Sequence, residues 1–453
     1  MYPTWRQHSS ALLLTGFFMV TGAFAQEPKP HSFLFEDVRV FDGMGTTLSA
    51  PSNVLVRGNR IEKVSVSPIP IERSANVTII IGGGRTLMPG LIDAHAHITM
   101  SSIPMAVGLY GDFGYIYLHA GREAKNMLMR GFTSIRDLSG PTFGLKQAID
   151  EATVPGPRIW PSGAMISQTS GHGDFRMRKD LPRPNGAPLS HAEIIGASII
   201  ADGVPEVLRR AREQLMLGAS QLKLAAGGGV ASNHDPLDVS QYTEAELRAA
   251  VEAAENWGTY VTVHAYTPRA IQTAIHAGVK CIEHGQLLDE PTARLMAEKG
   301  IWLSLQPFLD DADANPFPEG SANRAKQLQM RQGTDTAYQL AKKYGIKTAW
   351  GTDTLFNAKL AARQGAQLAK MVRWYSPSET LRMATSINAE LLALSGERNP
   401  YPGRLGVVEE GALADLLLID GDPIANIRLL EDPDKNLVLI MKDGQVYKST
   451  LLH

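Results

Sequence analysis

Short apolar runs set the rhythm of this chain, and two different rhythms divide it. From about residue 28 to residue 85 the runs are brief and broken by turn residues, as in Val38-Arg39-Val40-Phe41 before Asp42-Gly43 and Val54-Leu55-Val56 before Gly58-Asn59. That texture predicts short strands joined by tight turns. It returns at the end of the chain, in Leu416-Leu417-Leu418-Ile419, Leu437-Val438-Leu439-Ile440-Met441 and Gln445-Val446-Tyr447 after Asp443-Gly444. Strand-rich ends around a different middle predict one small β-sandwich to which both ends contribute.

The middle alternates short apolar runs with segments of helical period, the pattern of parallel strands linked by crossover helices. Thr243 and Glu246 form a T-x-x-E capping box that opens a helix, and β-rich Tyr260-Val261-Thr262-Val263 follows. Further strands are predicted at Gly90-Leu91-Ile92-Asp93, Thr133-Ser134-Ile135-Arg136, Pro157-Arg158-Ile159-Trp160, Gln221-Leu222-Lys223, Val279-Lys280-Cys281-Ile282, Ile301-Trp302-Leu303-Ser304-Leu305 and Lys347-Thr348-Ala349-Trp350. These make eight, the number of a (β/α)8 TIM-like barrel. An open doubly wound sheet is the alternative, but no G-x-G-x-x-G turn follows a strand to support it. The expected division is a signal peptide over 1–25, the N-terminal share of the β-sandwich over 26–86, the barrel over 87–402 and the C-terminal share of the sandwich over 403–453. Residues 167–188 and 307–322 are long and poor in pattern, as functional lids often are. The acidic run Asp310-Asp311-Ala312-Asp313 reads as solvated.

Composition narrows the class. With 453 residues, 44% hydrophobic, the chain can bury a large core, and a net charge of -2 gives no surplus of cations for a phosphate backbone, so nucleic acid is not an expected partner. Arg6, the apolar residues 11–20 and Ala23-Phe24-Ala25 have the anatomy of a cleaved export signal, which implies a periplasmic or secreted protein without stable membrane insertion. The sole cysteine, Cys281, excludes an intramolecular disulfide and reads as a small core residue. A homo-oligomer is expected.

The chemistry lies where histidines meet predicted strand ends. His95 and His97 close the first barrel strand, His264 the fifth and His284 the sixth. Residues two apart on a strand share a face, so His95 and His97 can converge on one ion at the end of the barrel where active sites sit. Lys223 falls inside an apolar strand, although an ammonium with an ordinary pKa of about 10.4 is costly to bury. It either reaches to the barrel mouth or takes up carbon dioxide and becomes a carbamate whose oxygens bridge two cations. Asp353, just beyond Trp350-Gly351-Thr352, either caps a helix or ligates a metal and accepts the proton of an activated water. Two divalent ions, zinc by default for a His-rich site, lie about 3.5–4 Å apart in centres of this kind.

In that order, His95-x-His97, Lys223, His264, His284 and Asp353 resemble the binuclear amidohydrolase superfamily. The segments from Met88 through His97, His264-Ala265-Tyr266, Ile282-Glu283-His284-Gly285 and Gly411-Ala412-Leu413-Ala414-Asp415-Leu416 resemble its imidazolonepropionase-like branch. The likeness implies that His95, His97 and Asp353 hold one metal, that His264 and His284 hold the other, and that carboxylated Lys223 bridges them. Imidazolonepropionases typically lack this lysine, so the resemblance is to Xaa-Pro dipeptidase, carboxypeptidase and ochratoxinase-like members. It implies cleavage of a dipeptide or N-acyl amino acid by metal-activated water, with Asp353 and His172 as catalytic residues. His172, between Gly171 and Gly173, and Tyr266 are the candidates to hold the substrate carboxylate and carbonyl, and Arg176, Arg178 and Lys179 can steer an anion. Two other readings stand beside this: a lactone or phosphoester hydrolase using the same residues, and a non-catalytic periplasmic metal carrier.

Overall fold

The computed structural model describes residues 31–184 and 186–451; the signal-like segment lies outside them. Strands from both ends of the chain pair into one eight-stranded sheet. Pro89 at the end of Thr86–Pro89 faces Leu416 of Leu416–Ile419 in antiparallel register, and Thr86–Pro89 also runs parallel to Ser32–Val40. Phe35, Val54, Ile61, Leu87, Leu418 and Met441 meet in one apolar core, so residues far apart in sequence bury each other. This is the composite β-domain expected from the two strand-rich ends.

The middle is a barrel of parallel strands. Leu91–Ala96, Phe132–Asp137 and Arg158–Pro161 form one sheet, and Leu222–Ala225, Val261–Ala265, Cys281–His284, Trp302–Leu305 and Thr348–Trp350 run consecutively through another. Backbone and side-chain bonds close the two seams. Ser220 N donates to Pro161 O at 2.8 Å, Asp353 N donates to His95 O at 2.8 Å, and Asn388 Nδ2 reaches both Ile92 O and Trp350 O at 2.8 Å. All eight expected barrel strands are present with ends shifted by a few residues. Two short strands, Met165–Ser167 and Ser198–Ile200, were not expected; they pair with each other, and the first joins the barrel at Leu224.

Alternation decides what each strand shows. Leu222, Leu224, Val261, Val263, Ile282 and Leu303 belong to the large core between strands and surrounding helices. Their neighbours Lys223, Thr262, His264, Glu283 and Ser304 therefore face the barrel interior. The helix Glu244–Asn256 begins as the sequence indicates, with Thr243 accepting from Glu246 N and the reciprocal contact made.

The acidic run is exposed at Asp310 and Asp311, as expected, but its carboxylates also find cationic partners. Asp310 pairs with Arg331 at 2.6 Å, Asp311 with Lys370 at 2.8 Å, and Asp313 with Arg363. These cations lie 21 to 59 positions away in sequence, on segments that the fold brings alongside, so the loop is pinned across the barrel mouth. Among the described residues no helix is long and apolar enough to cross a membrane.

Candidate active site

The six predicted ligands line one cavity of about 280 Å³ at the C-terminal ends of the barrel strands, together with His172 and Tyr266. Nitrogens of His95 and His284 and an oxygen of Asp353 all lie within 4.8 Å of one another. His97 Nε2 is 2.9 Å, and His95 Nε2 3.3 Å, from Asp353 Oδ1. His264 packs edge-on to His284 with ring centres 4.5 Å apart. Backbone geometry aims two of these side chains: His284 (φ 81°) and Asp353 (φ 48°) sit in the left-handed region, a conformation held against its cost by surrounding structure. Gly351 is required beside them, since a Cβ there would lie 2.4 Å from His95 N.

Each imidazole has one nitrogen engaged by a neighbouring acceptor. His95 Nδ1 lies 2.9 Å from Glu283 Oε2, His97 Nδ1 3.4 Å from Ser139 O, His264 Nε2 3.1 Å from Gly228 O, and His284 Nδ1 2.7 Å from Gln306 Oε1. Such contacts fix tautomers and leave the opposite nitrogen as a lone-pair donor. Gln306 Nε2 also lies 3.2 Å from His95 Nδ1, but it donates to Ser304 O at 3.0 Å, and the charged carboxylate is the closer partner.

Electrostatics agree with this picture. Burial lowers His95 and His172 to about 4 and His284 to about 3, so all three are neutral at pH 7. Burial alone would raise the Asp353 carboxyl, but His95, His97 and His284 hold it well below the usual range. Lys223 is 2% exposed, has no hydrogen-bond or ion-pair partner among the described residues, and is lowered by burial to about 8. Neutral imidazole nitrogens, an ionised carboxylate and a desolvated amine are the donor set that divalent cations take, so the residues fit a metal centre.

Several residues that order the site went unrecognised in the sequence. Glu283 and Arg136 are fully buried and joined at 2.7 Å, and Arg136 also donates to Ala94 O at 2.6 Å and Tyr260 Oη at 3.1 Å. Asp93 accepts from His95 N at 3.0 Å and Thr352 Oγ1 at 2.7 Å, tying the first strand to the turn that carries Asp353. Their signal was present: a charged residue inside an apolar strand must find a partner. By contrast, Arg176 is not free to steer substrate, since Asp174 binds it at 2.6 and 2.7 Å. Tyr266 is buried, with its ring 5.0 Å from that of His284.

Comparison with known proteins follows the same lines. The model of the amidohydrolase family matches residues 86–447. Ochratoxinase of Aspergillus niger is 32% identical over 381 residues, covering 80% of this chain and 75% of that protein. A solved prolidase complexed with N-methylphosphonate-L-proline superimposes with a TM-score of 0.83 at 34% identity, over 92% of this chain and 100% of that one. A Xaa-Pro dipeptidase with bound methionine in its active site gives 0.78 at 27% identity, over 92% and 100%.

Proposed function

This chain belongs to the amidohydrolase family, and on that premise we propose that it is a metal-dependent hydrolase of the amide or peptide bond in small carboxylate-bearing substrates. The substrates are dipeptides that lose a C-terminal amino acid, or N-acyl amino acids, the ochratoxin type included. The observation that carries the reading is the buried convergence of His95, His284 and Asp353, with Lys223, His97 and His264 on the same cavity.

His95, His97 and Asp353 would hold one divalent ion and His264 and His284 the other, zinc in both cases. Lys223, isolated and partly deprotonated near neutral pH, gains a carbamate by adding its amine to carbon dioxide with loss of one proton, and would bridge the pair. The ions supply Lewis acidity and lower the pKa of water toward about 7. Asp353 takes the proton of the attacking water and returns it to the leaving nitrogen, which departs as an amine. His172 and Tyr266 orient the carbonyl side of the substrate. We place the reaction outside the cytoplasm on the strength of the signal-like residues 1–25.

Metal analysis of the purified protein, combined with turnover of N-acyl amino acids and Xaa-Pro dipeptides, tests this. About two ions per chain and amide turnover are expected. Hydrolysis of lactones or phosphotriesters with inert amides would replace the reading, and bound metal without any turnover would leave a carrier.

A further inference from the structure

The segment that follows the strand Leu222–Ala225 has little backbone pairing of its own. Gly228 N donates to Val239 O at 3.1 Å and Gly229 N to Asp235 Oδ2 at 2.8 Å. Val230, Ser232 and Asp235 are buried, and among the described residues no backbone N–H reaches their carbonyls. Buried carbonyls need donors from elsewhere. They come from one face of the helix Ala322–Gln332, where Asn323 and Lys326 stand three positions apart. Asn323 Nδ2 donates to Val230 O at 2.7 Å and Ser232 O at 3.1 Å. Lys326 Nζ donates to Ser232 O at 2.7 Å and Asp235 O at 3.1 Å, so both bonds of this half-buried ammonium go to main-chain oxygens of the loop. The helix is itself anchored: Arg331 meets Asp310 at 2.6 Å, and Gln327 bonds Asn315 O at 2.8 Å and Phe317 N at 3.2 Å.

The loop held in this way bears on His172. Ser232 Oγ lies 2.9 Å from His172 Nδ1, and the backbone at Gly229 comes so close that a Cβ there would lie 1.7 Å from the same atom. Two further bonds tie the loop to the segment carrying His172: Ser170 Oγ donates to His234 O at 2.9 Å, and His234 Nε2 lies 2.9 Å from Arg176 O. The His172 ring also lies flat on His264, with centres 4.0 Å apart. A ring in contact with both the loop and a metal-site histidine takes its place from both.

We infer that Lys326, assisted by Asn323, is a positioning residue for His172. It fixes the main chain of residues 230–235, and through Ser232 and Gly229 that main chain fixes the imidazole against His264. Lys326 and Asn323 do not themselves line the cavity, so they act without touching substrate. The consequence for turnover rests on the amide-hydrolase reading and on the part of His172 in it, whereas the placement of the ring does not.

Two readouts keep the positioning and the reaction apart. Magnetic-resonance signals of the His172 ring, in metal-loaded protein carrying isotope-labelled histidine and assigned with His172→Gln, report the imidazole without turnover. The kcat/KM for N-acyl amino acids reports the reaction. Lys326→Met is expected to shift the ring signals and to lower kcat/KM by about tenfold to hundredfold, with metal content retained. In the His172→Gln background the same substitution is expected to add little further loss, since its effect passes through the ring. Lys326→Cys alkylated with 2-bromoethylamine rebuilds the amine with sulfur in place of one methylene, and Cys281, being buried, is shielded from the reagent. That protein is expected to regain the ring signals and most of the activity. Unmoved ring signals in Lys326→Met, losses of equal size with and without His172, or a displaced ring that alkylation fails to restore would each overturn the assignment. Ring signals displaced and then restored, with turnover unaffected by Lys326→Met, would sustain the positioning and remove His172 from the proposed reaction instead.

Discussion

Glu283 Oε2 stands 2.9 Å from Nδ1 of His95, and both side chains are shut away from solvent. Its other oxygen accepts from Arg136 Nη2 at 2.7 Å and from Thr262 Oγ1. Burial would raise this carboxyl, yet Arg136 and His95 bring it well below its usual range, so it is ionised and holds the opposite nitrogen of the imidazole toward Asp353. Replacing it as Glu283→Gln is expected to lower metal affinity by roughly tenfold to hundredfold. Competition with a chromogenic chelator reads the change, and wild-type affinity would deny Glu283 this orienting role.

Asp353 carries the proposed proton transfer. At saturating metal, Asp353→Asn is expected to reduce kcat by about 10²–10⁴-fold, with the circular dichroism of the folded protein retained. Unchanged amide turnover would mean that another group handles the proton.

Lys223 gives the metal-free protein a distinct pH dependence. Its amine is lowered from 10.5 to about 8, so between those values the unfolded chain binds more protons than the folded one, and stability rises with pH. Below pH 8 the deficit is about 3 kcal/mol. Urea unfolding of chelated, bicarbonate-free protein across pH 8–10 is expected to show the rise, and Lys223→Met to flatten it. Parallel curves for the two proteins would contradict the isolated-amine description.

Gly229 lies directly under His172, and a Cβ there would come within 1.7 Å of Nδ1. Gly229→Ala therefore displaces the His172 ring. A loss of about 100-fold in kcat/KM is expected, the scale on which misplaced groups near reacting atoms are felt. Metal content, measured alongside, should hold; full activity would show that His172 plays no role.

Export predicts a mature chain beginning at Gln26. Intact mass of protein recovered from the periplasm or medium reads this directly, and full-length protein confined to the cytoplasm would refute it.

The barrel was legible because each strand interrupts a helical period and carries its chemistry at its C-terminal end, as His95, His264 and His284 do. Met165–Ser167 and Ser198–Ile200 were not, since three residues are too few to establish a period of two. The acidic run was legible only in part: its exposure followed from local composition, while Arg331, Arg363 and Lys370 reach it only through tertiary structure. Arg331 shows the same limit, because a cation amid Gln327, Met330 and Gln332 looks like any exposed helix position until the cavity beneath it is seen.

The composite β-domain also sets an order of events. Thr86–Pro89 finds its antiparallel neighbour more than 320 positions downstream, in Leu416–Ile419. During synthesis the N-terminal strands can pair with one another, but the sheet is completed only when nearly the whole polypeptide has emerged. Contacts so distant along the chain slow folding, so the composite β-domain is the last part of the molecule to close.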